Sequence, residues 1–337
     1  MQPIERKFSH LGFSISFYLI VSNILGFIGI FIASFITVFT DAFKAALQGN
    51  QFSASGVDPS TLLSSFQQFT YAMLPAYFIG IPVTILFLNL TRFRDVPELS
   101  AFSFQTEAEK SYHRKLSIKE FCMFFLLMFP AGTVGQFIGN AISALTKLIF
   151  GISIANSTIS SIIIMKPWQI LVSAVIIAPI FEELLYRYAV IGYCKRYGEW
   201  NAIIVSGLIF GLIHANIYQF FYALFLGMLF GYVYIYTNRI IYTIILHVLF
   251  NFFGSFVVAL LPANDHSIPV IMYDVVKYGF AVAGFVIFIY LVVKEKLIKN
   301  SPYAPIQGLS SPKAYLNPGM ISLILLSIAL TVFSAFA

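Results

Sequence analysis

The sequence predicts an all-α, polytopic transmembrane helical bundle of about 8–9 spans, and three observations carry that prediction. The chain has 337 residues, of which 59% are hydrophobic and only 10% charged, with a mean hydropathy of +0.87. Ordinary soluble domains carry roughly 25% charged residues, so this chain has too little charge to cover a water-facing surface. The apolar residues are gathered into long stretches of spanning length, and Lys and Arg alternate between the loops that join them. A soluble enzyme, a disordered regulator and a nucleic-acid-binding domain are thereby excluded, and no nucleic acid is expected as a partner. Two cysteines, Cys122 and Cys194, cannot support a disulfide framework.

A spanning helix needs about 20 mainly apolar residues. The first stretch, 13–38, follows Arg6 and Lys7 as a signal peptide would. The apolar run from Leu11 to Thr40 is too long for a signal-peptide core, however, and no small-residue cleavage site stands out, so it reads as an uncleaved first span. The second lies at 71–90 and the third at 121–144, where Pro130, Gly132, Gly135 and Gly139 predict a kink. The fourth, 168–190, contains Pro179, and the fifth, 201–215, is short enough to be a partial or tilted span. The remaining stretches lie at 217–236, 240–261, 275–293 and 320–336. No internal repeat is evident, and residues 1–337 read as a single membrane-embedded domain.

Charge sets the expected orientation. With the N-terminus in the cytoplasm, the cytoplasmic tail and loops hold Arg6, Lys7, Arg92, Arg94, Lys110, Arg114, Lys115, Lys119, Arg187, Lys195, Arg196, Arg239, Lys294, Lys296, Lys299 and Lys313. Only Lys44, Lys147, Lys166 and Lys277 fall on the other side, a split of 16 to 4. That alternation is the positive-inside pattern of a multi-pass protein, expected here in the plasma membrane with lipids as its surroundings. Two loops on the basic side are sizeable, 91–120 and 294–319, and the prolines at 302, 305, 312 and 318 make the second an irregular tether.

Ionisable residues inside the spans are the most informative feature. Of 14 acidic residues, only the adjacent Glu182 and Glu183 lie well inside an apolar stretch. His214 and His247 are the two histidines within spans, and Arg187 is the one embedded cation. A charge near the bilayer centre costs at least ~2.5–3.5 kcal/mol on insertion scales, so such groups are usually paired and functional. Glu183 and Arg187 are four residues apart and can form an ion pair on one helical face, leaving Glu182 to face a different cavity. Phe210 and His214 share the same spacing, as do His247 and Asn251. Any one of these has a structural reading: a packing histidine, an interhelical asparagine bond, a Glu–Arg lock. Their concentration in three spans favours a site.

At these residues the sequence resembles a known family. EExxxR at 182–187, FxxxH from Phe210 to His214 and HxxxN from His247 to Asn251 are similar to the signature of the CPBP family, the CAAX proteases and bacteriocin-processing enzymes, also called Abi. The three motifs occur in order on successive apolar stretches, and the resemblance covers a motif-bearing core of about 165–260. It implies an intramembrane endopeptidase that cuts a membrane-associated peptide or protein, with Glu182 and His214 activating water and His247 and Asn251 stabilising the oxyanion. Glu183, Arg187 and Phe210 would support them.

Elementary chemistry agrees, since peptide hydrolysis needs a base for water and donors aimed at the developing oxyanion. The same residues also make a second chemistry conceivable: Glu182, His214 and His247 form a His2Glu set of the kind that binds catalytic zinc. The resemblance favours no metal, with zinc as the alternative. Two non-proteolytic readings stand beside these. One is a membrane regulator or bacteriocin-immunity protein that keeps the protease fold, and the other is a transporter using the buried carboxylates and histidines as a proton relay. By helix rise, Glu182 and His247 lie at matching depths, roughly 12 and 10 Å from one membrane face, whereas His214 lies roughly 20 Å deep. A strongly tilted fifth helix, or one that starts inside the membrane, would reconcile them.

Overall fold

The computed structural model describes residues 3–48, 63–91, 103–154, 156, 165–262, 266–294 and 312–336. Among these the chain is helical, with no β-strand element. Seven helical runs are long and apolar enough to cross a membrane: α1 (Ile4–Leu47), α2 (Thr70–Thr91), α4 (Ile118–Phe150), α5 (Pro167–Tyr197), α7 (Ile217–Thr237), α8 (Ile240–Val257) and α9 (Ile268–Val293). Two shorter apolar helices join them, α6 (Glu199–Ile213) and α10 (Pro318–Phe336), and a single-turn helix, α3 (Glu107–Ser111), precedes α4. The chain is thus a polytopic helical bundle and an integral, multi-pass membrane protein. Each of the nine expected stretches is a helix. The fifth is the short helix that its length suggested. Part of the two sizeable basic loops, including Arg92, Arg94, Lys296, Lys299 and the prolines at 302 and 305, lies outside the described residues.

Helix ends follow local chemistry. Ser117 accepts from the Glu120 amide at 3.2 Å while Glu120 accepts from the Ser117 amide at 2.9 Å, a capping box that starts α4. Gly151, at φ 70°, ends it. The Asn216 side chain caps α7, accepting from the Tyr218 amide at 2.9 Å, and Asn238 ends it in the left-handed conformation at φ 51°.

The glycines of α4 act in packing. A Cβ on Gly135 would lie 2.3 Å from the Tyr222 Cα of α7, and one on Gly139 would lie 2.8 Å from the Ile217 carbonyl oxygen. Small residues let helix backbones approach closely where lipid supplies no hydrophobic drive between helices. Gly207 of α6 and Gly227 of α7 meet in the same way, a Cβ on Gly227 falling 2.8 Å from the Gly207 Cα. Helices α5, α6 and α7 therefore form the centre, where Leu185, Ala189, Val205, Ile209, Phe230 and Ile235 are fully buried. Helix α1 is peripheral. Its Phe27, Phe31, Phe35, Phe39 and Phe43 are exposed on an i,i+4 ridge, as expected of a face turned to lipid.

The segment around α3 is tied to the ends of the central helices. Glu109 caps α3 by accepting from the Thr106 amide at 3.0 Å, and its carboxylate also meets Lys195 at 3.2 Å and Arg196 at 2.6 Å at the end of α5. Asn238, at the end of α7, donates to the carbonyls of Glu109 at 2.7 Å and Tyr112 at 3.0 Å. This latch fixes one end of the bundle.

Candidate functional site

Helix α5 is built to present its two glutamates. Residues Leu171–Ile177 and Leu184–Ile191 are π-helical, and the short α-helical piece Ala178–Glu183 lies between them. Pro179 has no amide proton and its ring crowds the preceding turn, which a widened turn accommodates. Pro179 thus sits where the helical winding changes. Both glutamates are buried, Glu183 completely.

Glu183 and Arg187 form the predicted pair. Arg187 Nε donates to Glu183 Oε2 at 3.0 Å, with both side chains fully buried. The guanidinium also donates from Nη1 to Ser206 Oγ on α6 at 2.7 Å, and Ser206 in turn donates to the Tyr186 carbonyl at 3.0 Å. Its flat face lies 5.3 Å from the Phe210 ring centre and 5.8 Å from that of Phe230. A planar cation suits such a place because it stacks on rings while its edge bonds to oxygen. The pair therefore pins α5 to α6.

His247 links this pair to Glu182. Its Nδ1 lies 3.0 Å from Glu183 Oε1, and its Nε2 lies 3.7 Å from Glu182 Oε2. The carboxylate at Nδ1 fixes the ring's orientation and favours a proton on that nitrogen, leaving Nε2 turned toward Glu182. The ring is boxed by Phe230 at 5.3 Å and Phe210 at 5.6 Å. Phe210 touches His214 as well, edge-on at 5.2 Å, and so packs against both imidazoles.

The structure thus assembles Glu182, Glu183, Arg187, Phe210 and His247 into one connected unit. His214 and Asn251 stand at its margin. His214 caps the end of α6, one helical turn beyond Phe210, and Ala215 after it turns the chain at φ 44°. Helix α6 stops at the histidine and the chain reverses there. No carboxylate among the described residues comes within 4.0 Å of its ring. Asn251 donates from Nδ2 to the Ala174 carbonyl of α5 at 2.8 Å, in one of the π-helical turns. The amide nitrogen carries a second hydrogen for another acceptor.

A tyrosine outside the three motifs also belongs to the unit. Tyr77, on α2, donates its hydroxyl to Glu182 Oε1 at 2.7 Å. Its only sequence signal was a tyrosine two residues after Pro75 in an apolar stretch, too common a pattern to single out. Among the described residues no group of three His, Cys, Asp or Glu side chains is arranged to hold a metal ion.

Residues 163–253 match the family described as "Type II CAAX prenyl endopeptidase Rce1-like". The match spans all three motifs and supports placing the chain with the CAAX proteases, although it covers a minority of the 337 residues. No curated protein and no solved structure matches the chain.

Proposed function

From this relationship to the type II CAAX prenyl endopeptidases, we propose that the chain is an intramembrane endopeptidase that hydrolyses a peptide bond of a membrane-associated protein or peptide, with Glu182 as the base that activates water. The observation that carries the proposal is the linked set of Tyr77, Glu182, His247, Glu183 and Arg187 within the membrane-spanning core. Structural ion pairs alone would be satisfied by Glu183 and Arg187. Glu182 faces a histidine at 3.7 Å instead of a cation at contact distance, a separation from which both groups reach a common water oxygen.

In this reading Glu182 Oε2 takes a proton from water as the oxygen attacks the scissile carbonyl, and the protonated carboxyl returns it to the amine nitrogen as the C–N bond breaks. Carrying a proton on both ring nitrogens, His247 donates from Nε2 to the oxyanion beside the second amide hydrogen of Asn251, and a site away from bulk water strengthens such contacts. Glu183 and Arg187 hold the His247 ring in place. His214 assists water activation from the turn after Phe210. The step uses the side chains of this chain without a metal ion. Stoichiometric zinc together with chelator-sensitive cleavage would overturn that part of the reading.

The substrate we favour has a prenylated CAAX tail, the class named in the family description. We further propose that the N-terminus is cytoplasmic, as the distribution of Lys and Arg supports, and that the plasma membrane is the site of action. The decisive experiment compares the wild type with Glu182→Gln, reconstituted in liposomes, on a panel of prenylated and unprenylated membrane peptides. Loss of cleavage in the variant is expected. Equal cleavage by both would remove Glu182 from the chemistry, and no cleavage by either would favour a non-catalytic membrane regulator or immunity protein.

A further inference from the structure

The family match begins at residue 163, yet one contact to the proposed base comes from α2, 105 residues before Glu182. We propose that Tyr77 is a positioning residue for Glu182. Its hydroxyl holds Oε1 and thereby aims Oε2 at His247 and at the attacking water. The inference rests on the catalytic reading of Glu182 given above.

Geometry supports a positioning role. A glutamate side chain has three rotatable bonds, so it keeps a single orientation only where its partners hold it. Among the described residues no lysine or arginine forms an ion pair with Glu182, since the Arg187 guanidinium is bonded to Glu183 and Ser206. The Tyr77 bond, at 2.7 Å, holds one oxygen, and the plane of the carboxylate then determines where the other points. Tyr77 is itself held firmly. Its ring stacks on Phe181, the residue before Glu182, at 5.9 Å and 20°, and Phe78 packs on the same ring at 4.7 Å. Residues Ala76–Gly80 form a π-helical turn just after Pro75, which turns Tyr77 and Phe78 together toward α5. At the end of that turn Gly80 allows close approach to α1, where a Cβ would fall 2.8 Å from Ser22 Oγ. The hydroxyl is thus presented from a rigid segment, the arrangement that preorganised catalysis requires.

A purely structural tyrosine would satisfy the same hydrogen bond, so the test must separate the two roles. Tyr77→Phe keeps the ring and its stacking and removes only the hydroxyl. With a fluorogenic peptide ending in a prenylated Cys-aliphatic-aliphatic-X tail and the full chain in liposomes, kcat is expected to fall roughly 10- to 100-fold while KM stays within about twofold, as for loss of a hydrogen bond to a charged group. A second readout needs no substrate. The infrared carboxyl band that Glu182→Gln removes is expected to shift in Tyr77→Phe. An unmoved band overturns the inference, as does an unchanged kcat in an enzyme that Glu182→Gln inactivates. So does a parallel fall of kcat, rise of KM and drop in the unfolding midpoint. If Glu182→Gln cleaves as well as the wild type, the catalytic reading fails instead, and the infrared band alone decides whether Tyr77 holds the carboxylate.

Discussion

Arg187 shows why single residues in this bundle matter so much. It is fully buried, and its charge is paired with that of Glu183 at 3.0 Å. Removing one partner of a buried pair leaves an uncompensated charge and typically costs 3–5 kcal/mol. Glu183→Gln is therefore expected to lower the unfolding midpoint in detergent sharply, and Glu183→Gln combined with Arg187→Met is expected to recover much of the loss. Thermal unfolding of the single and double variants checks this. Ala215 offers a prediction of the opposite sign. Its φ of 44° is costly for an alanine, about 1–2 kcal/mol, and Gly bears no such strain. Ala215→Gly is expected to raise the midpoint slightly, whereas Ala215→Val is expected to lower it. The residues that carry these effects were legible to different degrees. Glu183 and Arg187 stood out because charge is scarce in apolar stretches. Ala215 did not, because an alanine gives no sign of a positive φ.

Among the elements, the contact of α4 with α7 is the most exacting. Gly135 faces the Tyr222 Cα at a distance that no Cβ tolerates, and the conflict is with backbone, which cannot rotate away. Gly135→Ala is expected to push the two helices apart and destabilise the protein by several kcal/mol, within the range seen for overpacked or broken cores. Gly279 of α9 has open space around its Cβ position, so Gly279→Ala should be close to neutral or mildly stabilising, through higher helix propensity. Expression and unfolding of both variants give the comparison. Glycines in α4 were visible in the sequence, but the kink they suggested was a statement about one helix. Their close approach to α7 needs a partner, and periodicity in a uniformly apolar stretch does not name one. The π-helical turns of α5 escaped for a related reason: helical winding at Pro179 depends on what the neighbouring helices permit.

Across the whole molecule, the latch at Glu109 and the direction of insertion are the features open to test. Glu109 is the carboxylate between buried Lys195 and Arg196, so Glu109→Gln is expected to release the segment around α3 and expose it to limited proteolysis at lower temperature. Orientation is checked with cysteines introduced on a Cys122→Ser, Cys194→Ser background: a membrane-impermeant maleimide applied to intact cells is expected to label Lys166→Cys and to spare His113→Cys. The reverse labelling would invert the proposed topology.

Composition by itself determined the fold class, the number of helical stretches and the short fifth span, because a bilayer accepts only helices that are long, apolar and internally bonded, and those demands act on each stretch separately. The scarcity of buried charge likewise marked Glu182, Glu183, Arg187, His214 and His247 before any contact was known. Tertiary structure alone decided which of them meet. It joined Glu182 to His247 and Tyr77, set His214 beyond Phe210 at the reversal of the chain, and bound Asn251 to the α5 backbone. Those pairings depend on how helices far apart in sequence approach and rotate against one another. In a chain so uniformly apolar, no periodicity records that rotation. It is set by where glycines allow contact and where a few polar groups find partners.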